Sequence, residues 1–125
     1  MKFRAICENH LYAKAYAKGK RFVGKAIAVY VLPDFRAEKI RRARPQKTRI
    51  NRIGLTVSKK LGGAVVRTRT RRILREAYRE ILRDAPLKTG FLVVIAARER
   101  ATAMKSTELV PEMKLAFERL EMIKQ

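Results

Sequence analysis

The chain has 125 residues, 31 Lys/Arg against 11 Asp/Glu, and a formal net charge of +20. That length suits one domain with one core, expected to span residues 1–125, and a hydrophobic share of 47% argues against disorder. One cysteine (Cys7) and one histidine (His10) exclude an internal disulfide, a multi-cysteine zinc site and a histidine-rich metal site. With so few candidates there is no self-contained nucleophilic or acid-base constellation, so no catalytic or metal-ligating residue is assigned.

The charge is unevenly spread. Residues 1–75 hold 22 Lys/Arg against 3 Asp/Glu, whereas residues 76–125 hold 9 against 8. Such one-sided repulsion opposes folding and calls for a polyanionic partner, nucleic acid first and an anionic membrane surface second. The membrane reading lacks its carriers: there is no 18-residue apolar run, no lipidation signal, and no basic helix with bulky apolar anchors. Lys2 and Arg4 are not followed by the apolar region of a signal peptide, so a cytoplasmic location is expected.

In chain order, Asn9 is placed to cap a short helix reaching Lys18, with Gly19 to end it. Tyr12 and Tyr16 stand four apart on it, a spacing that fits a core-facing stripe. It also fits a pair of stacking surfaces for unpaired bases, and the nearby Lys14, Lys18, Lys20 and Arg21 suit that second reading. Residues 20–23 add a short strand. Residues 26–32 read as a longer one, closed by Pro33-Asp34, with Ile27, Val29 and Val31 on one face and Ala28, Tyr30 and Leu32 on the other. Residues 34–51 form a connection rich in Arg and Lys, too long for a tight hairpin turn and able to touch phosphates wherever RNA passes.

The stretch 57–80 organises the chain. Residues 52–58 alternate apolar and polar, as in a half-buried strand. They lead into Lys59-Lys60, and Gly62-Gly63 breaks the strand. From Ala64 onward Val66, Ile73, Leu74, Ala77 and Ile81 recur at three- and four-residue steps, predicting one buried helical stripe. Arg71, Arg75 and Arg79 lie four apart on the side away from it, with Thr68 and Arg72 beside them. A solvated helix face ordinarily interleaves signs, yet between Arg67 and Arg75 there is no acid. This helix faces an anion. It is expected to end near Asp84, before Pro86, which makes it roughly 30 Å long.

Gly90 opens residues 91–97, a continuous apolar run suited to a central strand, and residues 98–103 read as a turn. The last segment sets Leu109, Met113, Ala116, Phe117 and Leu120 on one face of an amphipathic helix that serves as core cover. Pro111 suits only its first turn or a kink. The order is therefore helix, strand, strand, strand, helix, strand, helix. We expect an α+β fold, a single-domain α/β sandwich with helices packed on a small mixed sheet. A crossover between residues 52–58 and 91–97 would be right-handed on physical grounds alone.

One dense run carries more than composition does. It contains Val57-Ser58-Lys59-Lys60, the step Gly62-Gly63-Ala64, the core Arg67-Thr68-Arg69, then Arg71-Arg72 and Arg75-Glu76. This run resembles the signature of the bacterial ribonuclease P protein subunit. Gly63 and Thr68 stand where that family usually carries Asn. The resemblance implies a protein that joins a catalytic RNA and helps remove the 5′ leader of precursor tRNA. It places the chemistry at Mg2+ ions held mainly by the RNA subunit and the substrate, with no catalytic residue and no obligate protein partner on this side. Carried onto this sequence, it implies an RNA-binding surface of Lys59, Lys60, Arg67, Thr68, Arg69, Arg71, Arg72 and Arg75. It also implies a leader-binding cleft of Tyr12, Tyr16 and Tyr30, and a left-handed crossover that overrides the physical prior. Composition alone supports a general RNA-binding or ribosome-associated structural protein equally well. A helix-turn-helix DNA binder needs a second helix just before the recognition helix, and here a strand and Gly62-Gly63 precede it.

Overall fold

Period-two patterning and one central apolar run assemble into a five-stranded mixed sheet in the computed structural model, which describes residues 3–6, 9–35, 39, 51–84 and 87–123. The strands are β1 (Phe3–Ala5), β2 (Lys20–Val23), β3 (Ile27–Pro33), β4 (Asn51–Thr56) and β5 (Phe91–Ala97), in the spatial order β1-β4-β5-β3-β2. β5 is central, as its continuous apolar run predicts, with Leu92 to Ile95 all buried. It pairs in parallel with β4 (Ile53↔Val93) and antiparallel with β3 (Val29↔Ile95). β2 extends the sheet as a hairpin partner of β3.

β1 departs from the expected order, which began with a helix. The observed order is β-α-β-β-β-α-β-α. Three residues are too few to show a period, so this strand is recruited by its partner: Phe3 to Ala5 run parallel to Asn51 to Ile53, and Ile6 N–H donates to the Ile53 carbonyl at 2.9 Å. Cys7, Glu8 and most of the basic connection expected at 34–51 (residues 36–38 and 40–50) lie outside the described residues.

Alternation along the strands gives each face its own core. Ile27, Val29, Val31, Ile53, Val93 and Ile95 pack against α2 (Ala64–Asp84) and α3 (Ser106–Arg119). Those helices contribute Ile73, Leu74, Ala77, Tyr78 and Ile81, and Leu109, Met113, Ala116 and Phe117. At about 1.5–3 kcal/mol per fully buried large apolar side chain, this layer is the main source of stability. On the other face Leu32, Leu92 and Val94 receive α1 (Asn9–Lys18) through Ala15. The strand–helix–strand path β4-α2-β5 links parallel neighbours, as expected. Pro111 sits in the second turn of α3 rather than the first, where it has no N–H to offer the Thr107 carbonyl one turn back.

Val66 leaves the stripe predicted for it. It is 37% exposed, because α2 begins beyond the edge of the core and its first buried residue is Thr70. Thr70 tolerates full burial because its hydroxyl donates to the Val66 carbonyl at 2.8 Å.

Four polar side chains tie neighbouring elements together. Asp34 and Arg52 form a bidentate pair across the end of β5, at 2.7 Å from Nε and 2.9 Å from a terminal nitrogen. Asn51 is buried; its amide donates to the Lys88 carbonyl and accepts from Phe91 N–H, both at 3.0 Å. On α3, Glu112 accepts from Ala26 N–H at 2.9 Å and Ile27 N–H at 2.8 Å, which ties that helix to the β2–β3 turn. Gly24 permits this approach, since a Cβ there would stand 2.8 Å from the carboxylate.

Tyr78 makes the fold sensitive to alkali. Burial pushes its hydroxyl from 10.0 up to about 12, with the nearby Asn51 side chain acting the other way. The neutral phenol is thus favoured by folding, and its contribution is complete below the unfolded value near 10. As pH rises from there through 12 the unfolded chain releases its proton first, and about 2–3 kcal/mol is lost. Urea midpoints between pH 9 and 12 are expected to fall more steeply for wild type than for Tyr78→Phe; parallel curves would contradict this.

Candidate nucleic-acid interface

The α1 side of the sheet is only partly covered: Tyr30, Thr56 and Ala96 stay half-exposed beside α1, at the place where the resemblance implies a cleft. Pleating brings Gly54, Val94 and Tyr30 into one cross-strand row and Thr56, Ala96 and Ala28 into the next. Small residues keep this floor low. Tyr12 lies directly on Gly54, where a Cβ would stand 2.4 Å from the ring, so only glycine admits the tyrosine at this depth. One turn on, the Tyr16 hydroxyl meets the Thr56 hydroxyl at 3.2 Å. The Tyr16 ring stands edge-on to Tyr30, with centroids 4.8 Å apart at 87°.

The two readings of the tyrosine pair therefore divide between its members. Tyr12 and Tyr30 are half-buried and pack against the smaller core, whereas Tyr16 is 41% exposed and offers its ring to the cleft. On α1, Lys14 also sets its ammonium 4.8 Å from the centre of the Phe35 ring, a cation–π contact on an aromatic that is 63% exposed. Phe35 carried no signal in the sequence, being a single aromatic just outside a strand.

The cationic residues gather where β4 runs into α2. Lys59 and Lys60 are exposed on a 3-10 turn (Lys59–Leu61), which Ser58 caps by accepting from Lys60 N–H at 3.2 Å. Gly62 then takes φ +152°, which glycine alone adopts easily, and α2 starts at Ala64. Thr68, Arg69, Arg72 and Arg75 are exposed, while Arg67 and Arg71 are half-buried. These side chains are not equally available. Arg69 donates to the Thr102 carbonyl at 2.8 Å, and Arg72 stands 4.0 Å from Glu76. The Arg67 Nε is buried without a hydrogen-bond partner among the described residues.

A cavity of about 880 Å³ between α2 and α3 offers a different surface. It is lined by Glu76, Arg79, Glu80 and Arg83. Its mixed signs suit a polyanion less well than the acid-free start of α2 does. Among the described residues, no three His, Cys, Asp or Glu side chains are grouped to hold a metal ion, and no helix is long and apolar enough to cross a membrane.

Comparison with known proteins places the chain in a family. A family model described as Ribonuclease P matches residues 1–121. The chain belongs to the ribonuclease P protein family. The ribonuclease P protein component of Clostridium acetobutylicum is 32% identical over 123 residues, covering 98% of this chain and 93% of that protein. That of Clostridium botulinum is 34% identical over 98 residues, covering 78% and 77%. Among solved structures, the Staphylococcus aureus RNase P protein superposes with a TM-score of 0.75 at 21% identity, over 98% of this chain and all (100%) of that one. The Thermotoga maritima RNase P protein gives 0.69 at 17% identity, over 92% and 96%. These structural likenesses establish the shared α+β fold. Membership in the ribonuclease P family makes the chain a protein component of a tRNA-processing ribonucleoprotein endoribonuclease, with an RNA subunit as its partner.

Proposed function

We propose that this chain binds the RNA subunit of ribonuclease P along the start of α2. In the same complex it holds the 5′ leader of precursor tRNA in the tyrosine cleft and so assists removal of that leader. The observation that carries the reading is continuity: β4 floors the cleft with Gly54 and Thr56, then runs through Ser58 into Lys59, Lys60 and the arginines of α2. An aromatic surface and a cationic one therefore adjoin. Aromatic faces take unpaired bases of any sequence, as a variable leader requires, and guanidinium groups on a rigid helix give charge-assisted, bidentate phosphate contacts.

Among the described residues no three His, Cys, Asp or Glu side chains come together as a magnesium cage. The Mg2+ ions in this reading belong to the RNA subunit and the substrate, where hydrolysis would occur. The chain's part is to bind, to orient the leader and to lower phosphate repulsion. Precursor tRNA is the natural substrate, and the cytoplasm the compartment in which the three would meet.

Tyr16→Ala tests the cleft. Tyr16 is 41% exposed, so truncation leaves the core intact. A stacked base is worth about 1–3 kcal/mol, so the assembled enzyme is expected to lose roughly 5- to 150-fold in affinity for leader-bearing precursor and little for mature tRNA. Equal loss on both substrates would overturn the cleft assignment.

A further inference from the structure

The first six residues of α2 project past the core. Ala64, Val65, Val66, Thr68 and Arg69 are exposed, Arg67 is half-buried, and burial begins at Thr70. At 1.5 Å per residue this overhang is roughly 9 Å long. Near its tip Val65 is 83% exposed, more than any other large apolar side chain among the described residues. A valine there is disfavoured both by its stiff χ1 in a helix and by its contact with water. Its neighbour Val66 packs in part on Gly62, where a Cβ would stand 2.9 Å from the Val66 side chain. The position where Gly63 would carry a Cβ has no heavy atom within 4 Å, so the chain just before α2 is open as well.

Charge decides what can cover this tip. Lys59, Lys60, Arg67, Arg69, Arg71 and Arg72 surround it in sequence, and no acid occurs between residue 51 and Glu76. The occupant must be a polyanion that also presents apolar surface, which in RNA means ribose C–H groups and unstacked base faces beside phosphates. We infer that Val65 is an apolar anchor that seats the start of α2 on the RNA subunit, supplying a salt-independent part of the affinity that the arginines cannot. The inference rests on the proposed reading of α2 as the RNA-subunit surface.

Titrations of a bacterial ribonuclease P RNA at several salt concentrations separate the two contributions. Wild type, Val65→Ala, Val65→Thr, Val65→Ile and Arg71→Ala are compared, with leader-bearing precursor tRNA alone as a second ligand. Alanine raises helix propensity at this exposed site, so the fold is not at risk. Val65→Ala and the near-isosteric Val65→Thr are expected to weaken RNA-subunit binding about five- to tenfold at every salt concentration, with an unchanged salt slope. Val65→Ile is expected to retain it. Arg71→Ala is expected to weaken binding and reduce the slope by about 0.7–0.9. Wild-type affinity in Val65→Ala and Val65→Thr beside a weakened Arg71→Ala overturns the anchor and leaves the RNA-subunit surface standing. A loss confined to precursor tRNA overturns the choice of partner, and failure of wild type to bind the RNA subunit overturns both.

Discussion

Raising monovalent salt from 50 to 200 mM is expected to weaken the complex with the RNA subunit by about 10³–10⁵-fold, the range for six to ten phosphate contacts. Each neutralised phosphate releases condensed counterions, and the logarithm of affinity falls by about 0.7–0.9 per decade of salt for each. The surface proposed for the RNA subunit carries Lys59, Lys60, Arg67, Arg69, Arg71, Arg72 and Arg75, with no intervening acid. Arg69 gives one donor to the Thr102 carbonyl, and Arg72 is offset by Glu76 at 4.0 Å, so these two should contribute less than their neighbours. Both partners of the Arg72–Glu76 pair are more than half exposed, and such a pair opens readily for a phosphate. Affinity measured across a salt series checks this. A slope equivalent to fewer than about two phosphates would contradict the assignment of α2 as the electrostatic surface.

The largest effect on stability is expected at Asp34. Its carboxylate is 4% exposed and Arg52 is 13% exposed, so the pair lies largely out of water. Asp34 also donates its N–H to the Gly90 carbonyl at 2.9 Å, which places it at the end of β5 while its carboxylate reaches Arg52 on β4. Asp34→Ala removes the bidentate carboxylate from a largely buried guanidinium, and breaking such a pair costs about 3–5 kcal/mol. A domain of this size has about 5–15 kcal/mol in total. Replacing both partners with apolar residues of similar volume is expected to recover most of that loss, because the desolvation of both charges disappears together. Urea unfolding reads this directly, as a lower midpoint at unchanged slope for Asp34→Ala. A loss below about 1 kcal/mol would mean that the pair behaves as a solvated surface bridge.

Much of this was legible from residues, and the gaps have physical causes. Elements with full periods were readable: residues 91–97 form β5, the helix expected to end near Asp84 does so, and the face of Leu109, Met113, Ala116 and Phe117 is buried. β1 was not, because three residues show no period and its pairing is set by β4. Val66 continued the apolar stripe in sequence, but a stripe cannot reveal where the sheet beneath it stops. Asn51, Asp34 and Glu112 were silent for a related reason: each acts through partners 18 to 86 positions away. In the candidate site, Tyr12 and Tyr16 stood out by their spacing, with core and stacking readings both open; the family resemblance joined Tyr30 to them, and the fold brings the three together around Gly54 and Thr56. The arginines were named from their spacing and the motif. Their differing availability depends on Thr102 and Glu76, which one element alone does not display.

The most direct test of the central claim is cleavage of a 5′-leader precursor tRNA at low magnesium by a bacterial ribonuclease P RNA, with and without this protein, beside a protein-alone control. A basic protein next to an RNA active site lowers phosphate repulsion there and reduces the demand for divalent ions. The account predicts that the protein restores cleavage at magnesium concentrations where the RNA alone is slow, and that the protein alone cleaves nothing. Tight binding to the RNA with no gain in cleavage would contradict it.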